Sequence, residues 1–120
     1  MTKIKSLFVS LLLTLGVSTA IAGSHGSTLD LVKERAWVKV SGAYRLTDEP
    51  PPYLDVVPYA KALIAAAPDR CVWGSDWPHV ANWGLMPRVA QMLESLALYA
   101  PDEAQRHRIL CENPQHLYFS

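Results

Sequence analysis

Two short runs carry the side chains in this sequence best suited to chemistry. Ser41-Gly42-Ala43-Tyr44-Arg45 ends in a guanidinium, a planar fork of donors that grips a carboxylate through two parallel hydrogen bonds. Gly74-Ser75-Asp76-Trp77-Pro78-His79 sets an aspartate three residues before a histidine, a proton acceptor beside a donor. A positive fork and an imidazole facing one carboxylate would suit an anionic ester or lactone. Each residue also has an ordinary alternative. An aspartate after Gly-Ser at a strand end serves as a cap or turn residue, an arginine as a surface ion-pair partner, and a loop histidine as a packing residue.

Other chemistries are poorly supplied. Ser75 lies in no G-x-S-x-G elbow and has no partner that would make it a nucleophile. Cys71 and Cys111 form no C-x-x-C pair and have no histidine at metal-ligand spacing, so each reads as a small buried apolar residue. The four histidines are His25, His79, His107 and His116, and no two are separated by a single residue. His25 falls in Gly23-Ser24-His25-Gly26-Ser27 and reads as a solvated linker histidine. Trp73, Trp77 and Trp83 read as wall and core rather than as a stacking platform.

For Arg45 and Asp76 to act together, each must leave the end of a strand. Ala36 to Gly42 is β-branched and aromatic enough for one strand, and Arg70 to Asp76 is a short apolar run for a second, buried one. Between them lie a loop with Pro50-Pro51-Pro52 and a helix over 55–67, whose stripe is Val56, Ala60, Leu63, Ile64 and Ala67. Pro58 is tolerated in its first turn, and Pro68-Asp69 ends it. Val89, Met92, Leu93 and Leu96 mark another helix, and a last one starts at Pro101-Asp102-Glu103-Ala104 and closes at Asn113-Pro114. With the last turns of a helix over 29–35, the order is helix, strand, helix, strand, helix, helix: an α/β protein with a parallel sheet. In such proteins functional side chains gather at the carboxyl ends of the strands.

The chain has 120 residues with 11 basic and 11 acidic groups, and half of it is hydrophobic, which excludes a disordered tail or a polybasic nucleic-acid arm. Its two ends differ in composition. Lys3 and Lys5 precede an apolar stretch from Leu7 to Ala22 that ends in small residues, and no acid occurs before Asp30. Residues 1–22 therefore read as a signal peptide with a hydrophobic helix, 23–27 as a linker and 28–120 as the folded part. Such a leader implies export to the periplasm or medium; without it the chain is cytoplasmic. Removing Lys3 and Lys5 leaves 9 basic against 11 acidic groups, a net charge of −2 that disfavours nucleic acid as a partner.

The run from Trp37 to Arg45, Ala67-Pro68-Asp69-Arg70, Trp73 to His79, Asn113-Pro114 and Leu117-Tyr118-Phe119 together resemble the C-terminal part of the amidohydrolase-2 (amidohydrolase-related) family. That family includes predicted TIM-barrel metal-dependent hydrolases and 2-pyrone-4,6-dicarboxylate lactonases. The resemblance runs from about Thr28 to the end, and Gly74-Ser75-Asp76-Trp77-Pro78-His79 is its most specific element. It implies the C-terminal βα units of a (β/α)8 barrel, with Asp76 closing the last strand. It also implies a role for Asp76 as general base for the hydrolytic water, with Arg45 and His79 binding substrate carboxylate or carbonyl oxygens. The substrate class it implies is a small organic acid, lactone or ester. In metal-dependent members the aspartate also ligates a divalent metal such as zinc, beside a His-x-His pair that this sequence lacks.

A TIM barrel takes about 250 residues, and two strands are readable here. The expectation is an incomplete barrel, either a truncated hydrolase that is inactive alone or a split enzyme whose missing strands come from a partner chain. The alternative is an exported small α/β module that binds or interacts without catalysis.

Overall fold

The structure is a computed structural model and describes residues 8–11, 36–79, 84 and 86–120. Its centre is a parallel sheet in the order β1-β2-β3, with β1 at Phe8–Leu11, β2 at Trp37–Val40 and β3 at Cys71–Trp73. Trp37-Val38-Lys39-Val40 is a natural central strand because aromatic and β-branched side chains pack well on a pleated surface. Only Lys39 breaks its burial, and Val38 and Val40 are 0% and 2% exposed. Register pairs Val38 with Cys71 and Val40 with Trp73, so both strands end at one edge of the sheet.

Among the described residues four helices complete the fold: α1 at Val57–Ala66, α2 at Val89–Tyr99, α3 at Glu103–His107 and α4 at Asn113–Phe119. A 3-10 turn, Leu54–Val56, leads from the proline loop into α1, and Pro58 lies in the first turn, where a missing N–H costs nothing. Gln91 anchors the start of α2 by accepting the Arg88 N–H at 2.9 Å, and Asp102 caps α3 by accepting the Gln105 N–H at 3.0 Å. Leu63 and Ile64 of α1, Leu96 of α2, Val38 and Cys71 of the sheet and Ile109 meet in one core. Burying one such aliphatic side chain contributes about 1.5–3 kcal/mol. An exposed ion pair such as Arg108–Asp69 at 3.3 Å contributes about 0–1 kcal/mol, so the core and not the surface charge holds the layers together.

Three expectations change. The hydrophobic helix of the leader is not supported: of residues 1–22 the structure describes 8–11, and these form β1, whose backbone pairs with the edge of β2. The remaining leader residues, the linker 23–27 with His25, the helix over 29–35 and Trp83 lie outside the described residues. The last helix does not close at Asn113-Pro114. A π turn at Arg108–Glu112, in which the Asn113 N–H donates to the Arg108 carbonyl, widens the helix just before the proline, and α4 continues to Phe119. The wider turn spares Pro114 the clash and the lost bond that a regular helix interior would impose. Cys111 is exposed, since it falls on the outer side of that turn while Ile109 takes the inner one.

Asn113 joins the C-terminal helices to the sheet. It is buried, and its side-chain amide donates to the carbonyls of Pro68 at 2.8 Å and Cys71 at 2.7 Å, the turn and first residue that start β3. Asn113→Ala is expected to lower stability by about 1–3 kcal/mol, the cost of leaving buried acceptors unpaired, read in a chemical denaturation curve. The two thiols differ as sharply. Cys71 is buried, its Sγ donates to the Ala67 carbonyl at 3.2 Å, and burial pushes its pKa up to about 12. A thiol reagent should therefore modify Cys111 in the folded protein and Cys71 only on unfolding, which mass spectrometry of labelled peptides checks directly.

Candidate active site

The loops after β2 and β3 leave from the same edge because the strands are parallel neighbours. After Val40 the chain passes Ser41 and turns at Gly42, whose φ of 72° is left-handed and easily adopted only without a Cβ. The turn feeds a 3-10 helix, Ala43–Arg45, that presents Tyr44 and Arg45. After Trp73 the chain passes Gly74 and Ser75, and Asp76 takes a left-handed φ of 59°. The peptide between Trp77 and Pro78 is cis, and His79 again has a positive φ, 55°. The turn is closed by the His79 N–H donating to the Asp76 carbonyl at 2.8 Å. Aspartate and histidine are among the non-glycine residues that accept this region best.

The Asp76 carboxylate is the meeting point. Its Oδ2 accepts the Tyr44 hydroxyl at 2.6 Å and lies 3.6 Å from Arg45 Nε, while Oδ1 lies 3.6 Å from Lys39 Nζ. The three charged side chains are each about 30% exposed: 27% for Asp76, 31% for Lys39 and 30% for Arg45. Ion pairs this open are worth about 0–1 kcal/mol each, so they orient the carboxylate more than they stabilise the fold. Burial first, and the hydrogen bond to Asp76 second, raise the Tyr44 hydroxyl above the ordinary tyrosine range, so at neutral pH it is a donor.

Of the residues expected from sequence, Arg45 and Asp76 are brought together. His79 is placed differently: it is 1% exposed, its ring meets Tyr44 edge-on with centroids 5.3 Å apart, and neither ring nitrogen has a hydrogen-bond partner among the described residues. Trp77, expected in a wall, is 70% exposed at the tip of the turn, and Trp73 packs at the border of the core. Lys39 and Tyr44 were missed. The signal for Lys39 is a single charge inside an otherwise apolar strand, which a buried sheet tolerates only if the ammonium reaches a partner or water. No comparable signal marks Tyr44.

A metal fits poorly here. Among the described residues no group of three or more His, Cys, Asp or Glu converges, and the carboxylate oxygens of Asp76 face Tyr44 and two cationic side chains.

Comparison with known proteins agrees with the motif. The amidohydrolase family model matches residues 23–119. The chain belongs to this family. It is 47% identical over 94 residues to a 4-sulfomuconolactone hydrolase of Rhizobium radiobacter, covering 77% of this chain and 30% of the relative. It is 40% identical to a D-galactarolactone isomerase of Agrobacterium fabrum (68% and 29% covered) and 34% identical to a 2-pyrone-4,6-dicarboxylate hydrolase of Comamonas testosteroni (68% and 27%). An apo crystal structure from Agrobacterium tumefaciens superposes with a TM-score of 0.66 at 38% identity, covering 77% of this chain and 33% of that one. The chain thus spans about 30% of the length of the amidohydrolase relatives it matches.

Gly74 has a specific place at these strand ends. A Cβ there would stand 2.5 Å from Lys39 Cε, so the bare backbone is the notch through which the lysine stem passes to Asp76. Gly74→Ala is expected to push the flexible end of Lys39 away from Asp76 and to cost no more than about 1 kcal/mol in stability, the worth of so open an ion pair. In a Lys39→Ala background the same substitution should cost almost nothing, and an undiminished effect in that double-mutant cycle would exclude the notch.

Proposed function

We propose that this chain carries part of the active site of a lactone hydrolase, with Asp76 as general base at the end of a barrel's last strand. The observation that carries the reading is the Asp76 carboxylate at the strand ends, oriented by Tyr44, Arg45 and Lys39. The names of the relatives, two lactone or pyrone hydrolases and a lactone isomerase, support lactone chemistry over amide hydrolysis. In the proposed reaction Asp76 takes a proton from water as the water oxygen bonds to the lactone carbonyl carbon. The ring C–O bond then breaks, and the leaving oxygen recovers that proton from Asp76, so the carboxylate ends as it began.

Arg45 and Lys39 are the proposed holders of an acidic group of the substrate, a reading supported by their position beside Asp76 and by the fit of a guanidinium to a planar anion. His79 is the proposed partner of a substrate oxygen, a role supported by its two ring nitrogens, which are unpartnered among the described residues and costly to bury without a ligand. The two strand ends supply one side of the site, and we propose that strands from a partner chain supply the other.

The test is hydrolysis of 4-sulfomuconolactone by the chain assembled with the partner that supplies the other strands, followed by loss of the lactone. Asp76→Asn is expected to lower turnover at least about a hundredfold, the scale for loss of a general base. Unchanged turnover in that variant would remove Asp76 from the mechanism. Binding of the lactone with no turnover, by the chain alone and in that assembly alike, would favour an α/β binding module instead.

A further inference from the structure

Tyr44 touches three of the residues gathered at the strand ends. Its hydroxyl donates to Asp76 Oδ2 at 2.6 Å, the Arg45 guanidinium carbon stands 5.5 Å from its ring centre, and His79 meets the same ring edge-on. A hydrogen bond of that length to a carboxylate is at the short, charge-assisted end of the range, whereas both cations lie at 3.6 Å. The tightest constraint on the carboxylate is therefore the tyrosine, and it acts on one oxygen. Oδ2 faces Tyr44 and Arg45, and Oδ1 faces Lys39.

We propose that Tyr44 is a positioning residue for the reaction, its hydroxyl holding Asp76 Oδ2 so that Oδ1 is the oxygen presented to the hydrolytic water. This rests on the reading of Asp76 as general base. A base must lie within hydrogen-bond reach of the proton it takes, and a carboxylate free to turn about its last torsion would present either oxygen at a spread of angles. Tyr44 removes that freedom from the side opposite the water. Its own proton stays in place throughout: the water's proton goes to Oδ1 and from there to the leaving oxygen. The raised Tyr44 hydroxyl fits this use, because a donor that remains protonated keeps the carboxylate fixed across neutral pH. The contact with His79 gives the tyrosine ring a rigid support, so its aim does not depend on the hydroxyl alone.

Tyr44→Phe keeps the ring against His79 and Arg45 and removes only the hydroxyl. With 4-sulfomuconolactone, kcat should fall by about tenfold to a hundredfold while KM stays within about twofold. A second readout needs no turnover: with tyrosine labelled at Cζ, the Tyr44 carbon should titrate at lower pH in Asp76→Ala than in the unaltered protein. Turnover of Tyr44→Phe equal to that of the unaltered protein would overturn the proposal and leave Asp76 untouched, and so would a loss seen only in KM. A Tyr44 titration indifferent to Asp76→Ala would overturn it as well. If the unaltered protein, assembled with its partner strands, hydrolyses no lactone while its Tyr44 titration still responds to Asp76→Ala, the general-base reading fails and the kinetic role of Tyr44 falls with it.

Discussion

The parallel pairing of β2 with β3 is the constraint on which the site depends. The register that sets Val40 against Trp73 brings the loops Ser41 to Arg45 and Gly74 to His79 out at one edge, although Tyr44 and Asp76 are 32 positions apart in the chain. A slip of one residue would turn Lys39 to the opposite face of β2 and away from Asp76. The register is secured by burial on both faces of β2, by the core that α1 and α2 form against the sheet, and by Asn113 gripping the start of β3. The aliphatic core supplies the energy of the arrangement, and hydrogen bonds supply its specificity.

Backbone conformations that proteins seldom use cluster at the same edge. Gly42, Asp76 and His79 all have positive φ within the two loops that build the site. For the two non-glycine residues such a conformation costs on the order of 1–3 kcal/mol, which persists only where surrounding structure over-determines it. The His79 N–H bound to the Asp76 carbonyl and the His79 ring buried against Tyr44 are that surrounding structure. The turn directs Asp76 toward Tyr44 and sends Trp77 into solvent, which explains why an aromatic residue beside the site is not part of its wall.

Much of this was readable from the residues. The two strands, the helix begun near Pro58 and the helix marked by Met92 and Leu96 follow from local patterns of period two and near 3.6, which need no knowledge of neighbours. The proline at 114 misled because the rule that proline ends a helix assumes a regular turn before it, and the π turn at Arg108–Glu112 is set by how Ile109 and Asn113 pack on the rest of the molecule. The exposure of Cys111 has the same origin.

By itself the sequence determined the α/β class, the amidohydrolase family and the prominence of Arg45 and Asp76, because strand patterns and the Gly74 to His79 motif are properties of contiguous residues. Only the tertiary structure decided what those side chains meet. Lys39 reaches Asp76 through the space left by Gly74, Tyr44 takes one carboxylate oxygen, and His79 is buried behind Tyr44. These are contacts between residues tens of positions apart, created when strands pair in register and loops turn at left-handed residues, and no local pattern encodes the distance between two loop side chains.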